Sequence, residues 1–180
     1  MAVSPVLETA RLRLEPFSER HLTMRYIGWL NDPEVVRYSE QRHRRHTLRS
    51  ATAYLRSFEG TANLFWAILA KDAASHVGNI TAYVDTANSV ADIGILIGDK
   101  EIWGRGYGTE AWSAVCRFLL DDAGLRKVTG GTMSTNAGML AIMRRSGMRE
   151  DGVRRRQVVI DGNEVDLVHM ALFASRRSHD

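Results

Sequence analysis

The chain has 180 residues, of which 44% are hydrophobic and 25% are charged. A chain of this length can bury about 70% of the surface that its unfolded form exposes, and the composition excludes disordered, collagen-like and fibrous proteins. The formal net charge of +3 is too small for nucleic-acid binding to be the expected function. No apolar run approaches the roughly 20 residues that cross a bilayer.

The single cysteine, Cys116, cannot form an internal disulfide, which favours a reducing compartment. Residues 1–8 lack the basic and apolar regions of a secretory signal. We therefore expect a cytoplasmic protein with no membrane partner. No repeat, low-complexity tract or linker divides the sequence, which predicts one domain over 1–180 with a frayed tail at 175–180.

The first half of the chain is predicted to form a strand, two helices and three more strands. Residues 11–14 alternate polar and apolar side chains, as a strand does. Ser18 and Thr47 are typical helix N-caps, and apolar residues recur at helical spacing after each of them. Three β-rich runs then predict an antiparallel meander, at 64–69, 77–84 and 90–97.

The second half predicts two helices and three further strands. A glycine-rich loop at 103–108 opens a long helix that ends at Gly124. A strand at 127–133 and a helix at about 137–145 follow. Asp161-Gly162 predicts a hairpin between runs at 153–160 and 164–173. The whole pattern predicts an α/β protein of the α+β kind, with about seven strands and about four helices.

The glycine-rich loop carries the clearest chemical signal. Gly104, Gly106 and Gly108 alternate between a strand and a helix, where small residues let backbone amide groups approach an anion that the helix dipole also favours. The alternative is a plain turn that needs positive φ angles. Thr109 stands where a P-loop has lysine, and the third glycine comes one residue too early for a dinucleotide fingerprint, so both of those sites are disfavoured.

The loop resembles the pyrophosphate-binding motif of the GNAT superfamily of acetyl-CoA-dependent N-acetyltransferases, Arg/Gln-x-x-Gly-x-Gly/Ala, with Trp103 in place of the usual Arg or Gln. Asn136, followed eleven residues later by Gly147-Met148, resembles the end piece of the subgroup of ribosomal-protein N-terminal acetyltransferases. Three further segments resemble that subgroup, at 7–14, 29–35 and 92–95. The resemblance covers residues 7–173.

The resemblance implies a central, mixed and mostly antiparallel sheet that splays between its fourth and fifth strands, with acetyl-CoA in the gap. The amides of Arg105 to Thr109 would hold the pyrophosphate, and the strand residues 95–97 and the Asn136 side chain would bind the pantetheine arm. The cofactor-binding residues that it implies are Ile95, Leu96, Ile97, Trp103, Gly104, Arg105, Gly106, Tyr107, Gly108, Thr109 and Asn136.

Two residues are candidates for proton transfer. Asp92 alternates with Ile93 and so points to the other face of its strand, and it matches the acidic position that members of the family often use, through water, to accept the amine proton. Its alternative role is a pairing with a surface cation or a strand neighbour. Many members carry a tyrosine that protonates the leaving thiolate. At that position this chain has Met143, which cannot donate a proton. Ser134 is a substitute donor, unless its hydroxyl only satisfies a turn or no acid is needed.

Arg42, Arg44 and Arg45 lie in a basic loop that we expect to border the acceptor pocket and to bind an anionic acceptor. The alternative is a solvated basic loop, and the same arginines make a metal site unexpected. The expected activity is transfer of an acetyl group from acetyl-CoA to a primary amine, on a peptide N-terminus, an amino sugar or another small molecule, by direct attack in a ternary complex. The alternative function is a non-catalytic acyl-CoA-binding or sensor module. The C-terminal hairpin leaves a homodimer open.

Overall fold

The computed structural model describes residues 4–72 and 75–175, so the predicted frayed tail lies outside the described residues except for Ser175. Within these ranges eight strands form: β1 (Leu7–Glu8), β2 (Leu12–Pro16), β3 (Leu64–Ala70), β4 (Ser75–Asp85), β5 (Val90–Ile97), β6 (Lys127–Met133), β7 (Arg149–Ile160) and β8 (Asn163–Phe173). The α-helices are α1 (Met24–Asn31), α2 (Leu48–Arg56), α3 (Tyr107–Arg117) and α4 (Ala137–Arg145).

All the strands belong to one sheet in the order β1-β2-β3-β4-β5-β6-β8-β7. Every neighbouring pair is antiparallel except β5 and β6, which run parallel and pair only from Val90↔Lys127 to Asp92↔Thr129. Beyond Asp92 the two strands separate. The mixed, mostly antiparallel and splayed sheet is therefore confirmed. The chain turns at Thr9 and forms a two-residue strand, β1, that was not predicted. The predicted fourth and fifth strands are therefore numbered β5 and β6.

The two faces of the sheet are covered by different helices. Alternate residues of β5, such as Ala91 and Ile93, pack into the larger core beneath α3. The opposite face of the sheet carries a second cluster with α1 and α2, which Leu96 of β5 joins. At the end of β5, a side chain at Gly98 would collide with the indole of Trp29 in α1, since an added Cβ would lie 1.9 Å from its Cδ2 atom. The helix α1 thus packs directly against the end of β5.

Helix starts follow the predicted capping chemistry in one case and not in the other. The Thr47 side chain accepts a hydrogen bond from the Ser50 amide at 3.2 Å and begins α2, as predicted. The prediction that Ser18 begins the first helix is wrong, because Ser18 precedes only a single 3₁₀ turn and α1 begins after Thr23. The His21 ring holds this turn, since its Nδ1 atom accepts from the Ser18 amide at 3.0 Å.

Two predicted turns are confirmed. Gly124 takes a left-handed conformation (φ 69°) after a single π turn, Phe118–Asp122, that extends α3. Asp161 and Gly162 both have positive φ, 49° and 78°, as a two-residue hairpin turn requires. Among the described residues, no helix has the length and apolar character needed to span a bilayer.

Candidate active site

The gap between β5 and β6 is lined by backbone groups. In the β4–β5 ladder the Gly98 amide donates to the Val77 carbonyl at 3.0 Å, and hydrogen-bonded pairs alternate along an antiparallel ladder. The backbone groups of Ile95 and Ile97 therefore face away from β4 and into the gap. Those of Leu96 are paired with β4, so of the three predicted residues only the two isoleucines offer backbone groups to a ligand between the strands.

Trp103 connects this lining to the glycine-rich loop. Its indole Nε1–H donates to the Ile97 carbonyl oxygen at 2.9 Å, while 39% of the residue's surface stays exposed. The last carbonyl of β5 is thereby occupied, and the loop is tied to the end of the gap.

The loop itself presents free amide groups at the start of α3. Gly106 is the N-cap residue with φ 84°, and Gly104 has φ 73°, so both need the conformational freedom of glycine. Within the part of the chain that the structure describes, the amides of Tyr107, Gly108 and Thr109 have no acceptor. Such first-turn amides, at the positive end of a helix dipole, bind anions.

Not every predicted loop residue offers a donor or a reachable side chain. The Arg105 amide already donates to the Ile102 carbonyl at 3.3 Å. The Tyr107 ring is buried and its hydroxyl donates to Asp72 at 3.4 Å, so this side chain points away from the gap. Gly108 lies close to α4, because an added Cβ would come 2.9 Å from Cδ1 of Ile142.

A charged cluster supports the loop from the side of β1 and β2. Glu110 accepts from the Thr9 hydroxyl at 2.6 Å and from Arg11 Nε at 2.6 Å, and Arg11 also donates to the Arg105 carbonyl at 2.9 Å. The Arg11 guanidinium lies 4.4 Å from the centre of the Tyr107 ring. Burial favours the protonated form of Glu110, but the hydrogen bonds from Thr9 and Arg11 outweigh it and lower its pKa. Glu110 is thus a structural anion and not a free base.

Asn136 has both of its amide atoms engaged. Its Oδ1 atom caps α4 by accepting from the Met139 amide at 3.1 Å, and its Nδ2 atom donates to the Thr132 hydroxyl at 3.1 Å. This residue therefore fixes the start of α4 beside β6 whether or not it also touches a cofactor.

Asp92 lies at the vertex where β5 and β6 part. It points to the face opposite Ile93, as the alternation predicts, and its Oδ1 atom accepts from the Thr129 hydroxyl at 2.7 Å. Although the residue keeps an exposed surface, desolvation by the walls of the gap raises the pKa of its carboxyl, and the Thr129 hydrogen bond and the neighbouring His169 oppose that rise. Asp92 is thus a carboxylate that holds its proton more tightly than an ordinary aspartate does.

Two tyrosines that the sequence did not single out stand beside Asp92. Tyr83 is its direct partner across the β4–β5 ladder, and the Tyr83 and Tyr54 hydroxyls lie 2.6 Å apart. Burial, together with this hydrogen bond, raises the pKa of Tyr54, which keeps its hydroxyl protonated. Alternation along β4 places Tyr83 on the same face as Thr81, and only the strand pairing reveals that this face meets Asp92.

The candidate acids differ in their surroundings. Ser134 is exposed in the turn after β6, where its amide donates to the Asp166 carbonyl at 2.8 Å. Met143 is fully buried in the core, so α4 presents no proton donor from that position. Cys116 is also core, 2% exposed, and burial raises its pKa to about 12, which excludes a thiolate nucleophile.

A cleft of about 520 Å³ opens on the side of the sheet that carries β6, β8 and β7. Arg42 and Glu40 line it, and Arg42 donates to Glu40 at 2.9 Å. Arg44 and Arg45 are exposed and are not part of its lining. The other lining residues come from the basic loop and the segment before it, from β6 and from the hairpin: Tyr38, His43, Gly131, Thr132, Met133, Gln157, Val158, Val159 and Leu167. In residues 4–72 and 75–175 no three His, Cys, Asp or Glu side chains converge as metal ligands would.

Comparison with known proteins identifies the family and the fold. The family model described as "Acetyltransferase (GNAT) domain" matches residues 11–149. The chain is similar to the probable N-acetyltransferase YjcK of Bacillus subtilis (strain 168), with 29% identity over 107 residues, which is 52% of this chain and 59% of YjcK. The match thus spans less than two thirds of that relative.

Two solved structures share the fold. RimL, a ribosomal L7/L12 alpha-N-protein acetyltransferase solved in complex with coenzyme A, superposes with a TM-score of 0.83 and 14% identity, over 94% of this chain and 98% of that one. The microcin C7 self-immunity acetyltransferase MccE, solved with acetyl-CoA and AMP, gives a TM-score of 0.77 and 16% identity, over 92% and 93% of the two chains. At these identities they establish the fold alone. Because the family model covers most of the chain, this protein belongs to the GNAT family of acetyltransferases.

Proposed function

We propose that the protein transfers the acetyl group of acetyl-CoA to a primary amine by direct attack within a ternary complex. The observation that carries the proposal is the gap between β5 and β6, which has unpaired amides at the start of α3 at one end and a carboxylate, Asp92, at its vertex. RimL and MccE, which share the fold, were solved with coenzyme A and acetyl-CoA, and this supports the same ligand here.

The residues of the gap fit acetyl-CoA. The amides of Gly106 to Thr109 would bind the pyrophosphate oxygens, since backbone donors at a helix N-terminus recognise phosphate without a charged side chain. The free backbone groups of Ile95 would pair with the amides of the pantetheine arm in the manner of an added strand. This arrangement would bring the thioester towards Asp92.

In the proposed reaction the amine must first lose a proton. Asp92 would accept it through water, and its raised pKa improves it as a base relative to an ordinary aspartate. The neutral nitrogen then forms a bond to the carbonyl carbon, and the carbon–sulfur bond breaks as the thiolate leaves. The attacking nitrogen keeps one of its two protons and gives up the other, which is transferred to the thiolate either directly or through the exposed Ser134 hydroxyl, so that the products are an amide and free CoA thiol.

The acceptor would enter through the cleft beside Arg42. This cleft lies next to β6, whose Gly131 borders both the cleft and the gap. Arg42, only 15% exposed in its side chain, would bind an anionic group of the acceptor, with Arg44 and Arg45 further out. Peptide N-termini and amino sugars linked to an anion satisfy this arrangement. For a reaction that uses acetyl-CoA we propose the cytoplasm as the compartment.

The test is calorimetry of acetyl-CoA binding, followed by addition of a panel of amines to the same sample with detection of the released thiol. Binding with thiol release for one amine class supports the proposal and names the acceptor type. Binding without release for any amine favours the acyl-CoA-binding module, for which the buried Met143 in place of a tyrosine is the supporting observation. No binding contradicts both.

A further inference from the structure

Tyr83 stands beside Asp92 on the face of the sheet that carries α1 and α2. The two residues are direct partners across the β4–β5 ladder, so their Cβ atoms lie about 5 Å apart and both side chains point to the same face. The next pair on that face is Thr81 and Gly94, where an added Cβ on the glycine would meet only the Thr81 hydroxyl within 4 Å, at 3.5 Å. The floor next to Asp92 and Tyr83 is therefore open.

The Tyr83 ring is held in place although 44% of the residue's surface is exposed. Its hydroxyl lies 2.6 Å from the Tyr54 hydroxyl of α2, and its ring centre lies 5.8 Å from that of Phe58, just after the same helix. Phe58 in turn stacks on Phe65 of the buried cluster, with ring centres 5.0 Å apart. Contacts from α2 and from the turn after it thus hold an exposed aromatic ring beside a carboxylate.

The carboxylate of Asp92 has no ion-pair partner within residues 4–72 and 75–175. Asp92 is exposed, and only its Oδ1 atom accepts a hydrogen bond from these ranges, from Thr129. A carboxylate attracts a cation by its charge, and an aromatic ring does so by its quadrupole. One carboxylate offers too few charged oxygens for a metal ion, whereas it matches the single charge of an ammonium group.

We propose that Tyr83 and Asp92 bind the acceptor in its ammonium form before it loses a proton, an inference that rests on the proposed function. The ammonium lies over Gly94 and contacts the ring and the hydroxyl oxygen of Tyr83 directly. Asp92 supplies the opposite charge through the water that later carries the proton. Tyr54 is a positioning residue, because it acts through the Tyr83 hydroxyl. The site therefore selects basic primary amines, which carry a charge at neutral pH, over aromatic amines, which do not.

The kinetic test uses Tyr83→Leu, with Phe173→Leu as the matched control, because Phe173 is a 59% exposed ring at the end of β8 that contacts a lysine. Tyr83→Leu should raise KM for the acceptor amine about tenfold and leave kcat and the affinity for acetyl-CoA within about threefold. Phe173→Leu should leave all three values unchanged. Thermal unfolding checks that both variants fold. An unchanged KM in Tyr83→Leu, or an equal rise in Phe173→Leu, overturns the inference.

The part played by Tyr54 is tested with Tyr54→Phe, Tyr83→Phe and the double variant. The two single variants break the same hydroxyl contact, so each should raise KM for the acceptor by about threefold. The double variant should raise KM no further than Tyr83→Phe does, because residues that act through one shared contact are not additive. Effects that multiply in the double variant would overturn the positioning role of Tyr54.

A binding measurement needs no turnover and so separates this inference from the proposed function. The chain has five tyrosines, whose rings can be labelled with carbon-13 and assigned by substitution. With coenzyme A in place of acetyl-CoA, glycinamide should shift the NMR signals of the Tyr83 and Tyr54 rings, and the uncharged N-acetylglycinamide should not. Asp92→Asn should weaken glycinamide binding about tenfold. Equal shifts with both compounds, or none at Tyr83, overturn the inference. Glycinamide binding at Tyr83 without thiol release for any amine contradicts the proposed activity alone.

Discussion

The indole N–H of Trp103 and the carbonyl oxygen of Ile97 lie 2.9 Å apart in a hydrogen bond that joins the glycine-rich loop to the end of β5. The loop and the end of β5 are thus joined by one side chain that stands where the family motif usually has Arg or Gln. The tryptophan cannot contribute a positive charge to a phosphate. Its contribution is to fix the loop, so that the amides of α3 stay aimed at the ligand.

Trp103→Phe removes this hydrogen bond and keeps most of the ring. A hydrogen bond of this kind is worth about 1 kcal/mol, so we expect acetyl-CoA to bind about fivefold more weakly by calorimetry. The midpoint of thermal unfolding should change little, because the residue is 39% exposed. Unaltered affinity would mean that the loop keeps its position without the bond.

Gly106→Ala tests the loop conformation. At φ 84° a Cβ is strained by about 1 to 2 kcal/mol, and here it would also lie 3.4 Å from Nη2 of Arg11, so the loop should shift and acetyl-CoA should bind at least about tenfold more weakly. Gly60→Ala is the control, because Gly60 has φ 73° with no atom within 4 Å of an added Cβ. Gly60→Ala should lower the free energy of unfolding by a similar amount and leave the affinity for acetyl-CoA unchanged. Proline at 106 is a poor test, because it cannot reach this φ at all.

Asp92→Asn should lower kcat about 100-fold while acetyl-CoA affinity stays within twofold, since the side chain serves the proton and not the cofactor. In the native enzyme the rate should rise with pH as Asp92 loses its proton, and burial places that rise above the ordinary pKa of 3.8. The pH profile of kcat in Asp92→Asn should lack this limb. If kcat still rises with pH in Asp92→Asn, the rise belongs to the titration of another group.

Arg42→Ala should raise KM for an anionic acceptor about tenfold, the value of one charge-assisted hydrogen bond. The double variant Arg44→Ala/Arg45→Ala should have a smaller effect that disappears at high salt, because both residues are exposed and lie outside the cleft lining. Steady-state kinetics at two salt concentrations checks both expectations. A larger effect of the double variant would place the acceptor outside the cleft.

His76 should make stability depend on pH. Burial among the rings of Phe17, Tyr26 and Trp29 lowers its pKa to about 4 from 6.5. Between these pH values the unfolded chain binds a proton that the folded one refuses, so stability is complete above pH 6.5 and falls as the pH drops towards 4, by at most about 3 kcal/mol. Urea unfolding of His76→Gln should show a flatter dependence, and the exposed-site control His43→Gln should match the native protein.

Local signals predicted much of this fold, and their success has a clear cause. The glycines at 106, 124 and 162 all have the positive φ that their turns require, and Asp92 faces away from Ile93 as strand alternation demands. These features depend on a few neighbouring residues. The start of α1 was missed because the His21 ring contacts Glu15 at 2.9 Å and ends the turn after Ser18, a contact between residues on different elements.

The position of His169 on the same face of the sheet as Asp92 could not be predicted, since the two residues are 77 positions apart and only the strand order brings them to that face. The hairpin enters the sheet with β8, not β7, beside β6, and the reverse order would have placed His169 away from the gap. The sequence pattern of the hairpin is compatible with either arrangement. Gly131, which leaves room for the imidazole, is meaningful only once that order is known.

The packing of Trp29 against Gly98 affects how the gap binds its ligand. The indole fills the volume of a missing side chain at one end of β5, and Trp103 binds the last carbonyl of the same strand. Two tryptophans from separate elements therefore hold the end of β5, which is one wall of the gap, in a fixed position. A receptor that is preorganised in this way does not spend binding free energy on its own closure, so the affinity for acetyl-CoA reports the contacts themselves.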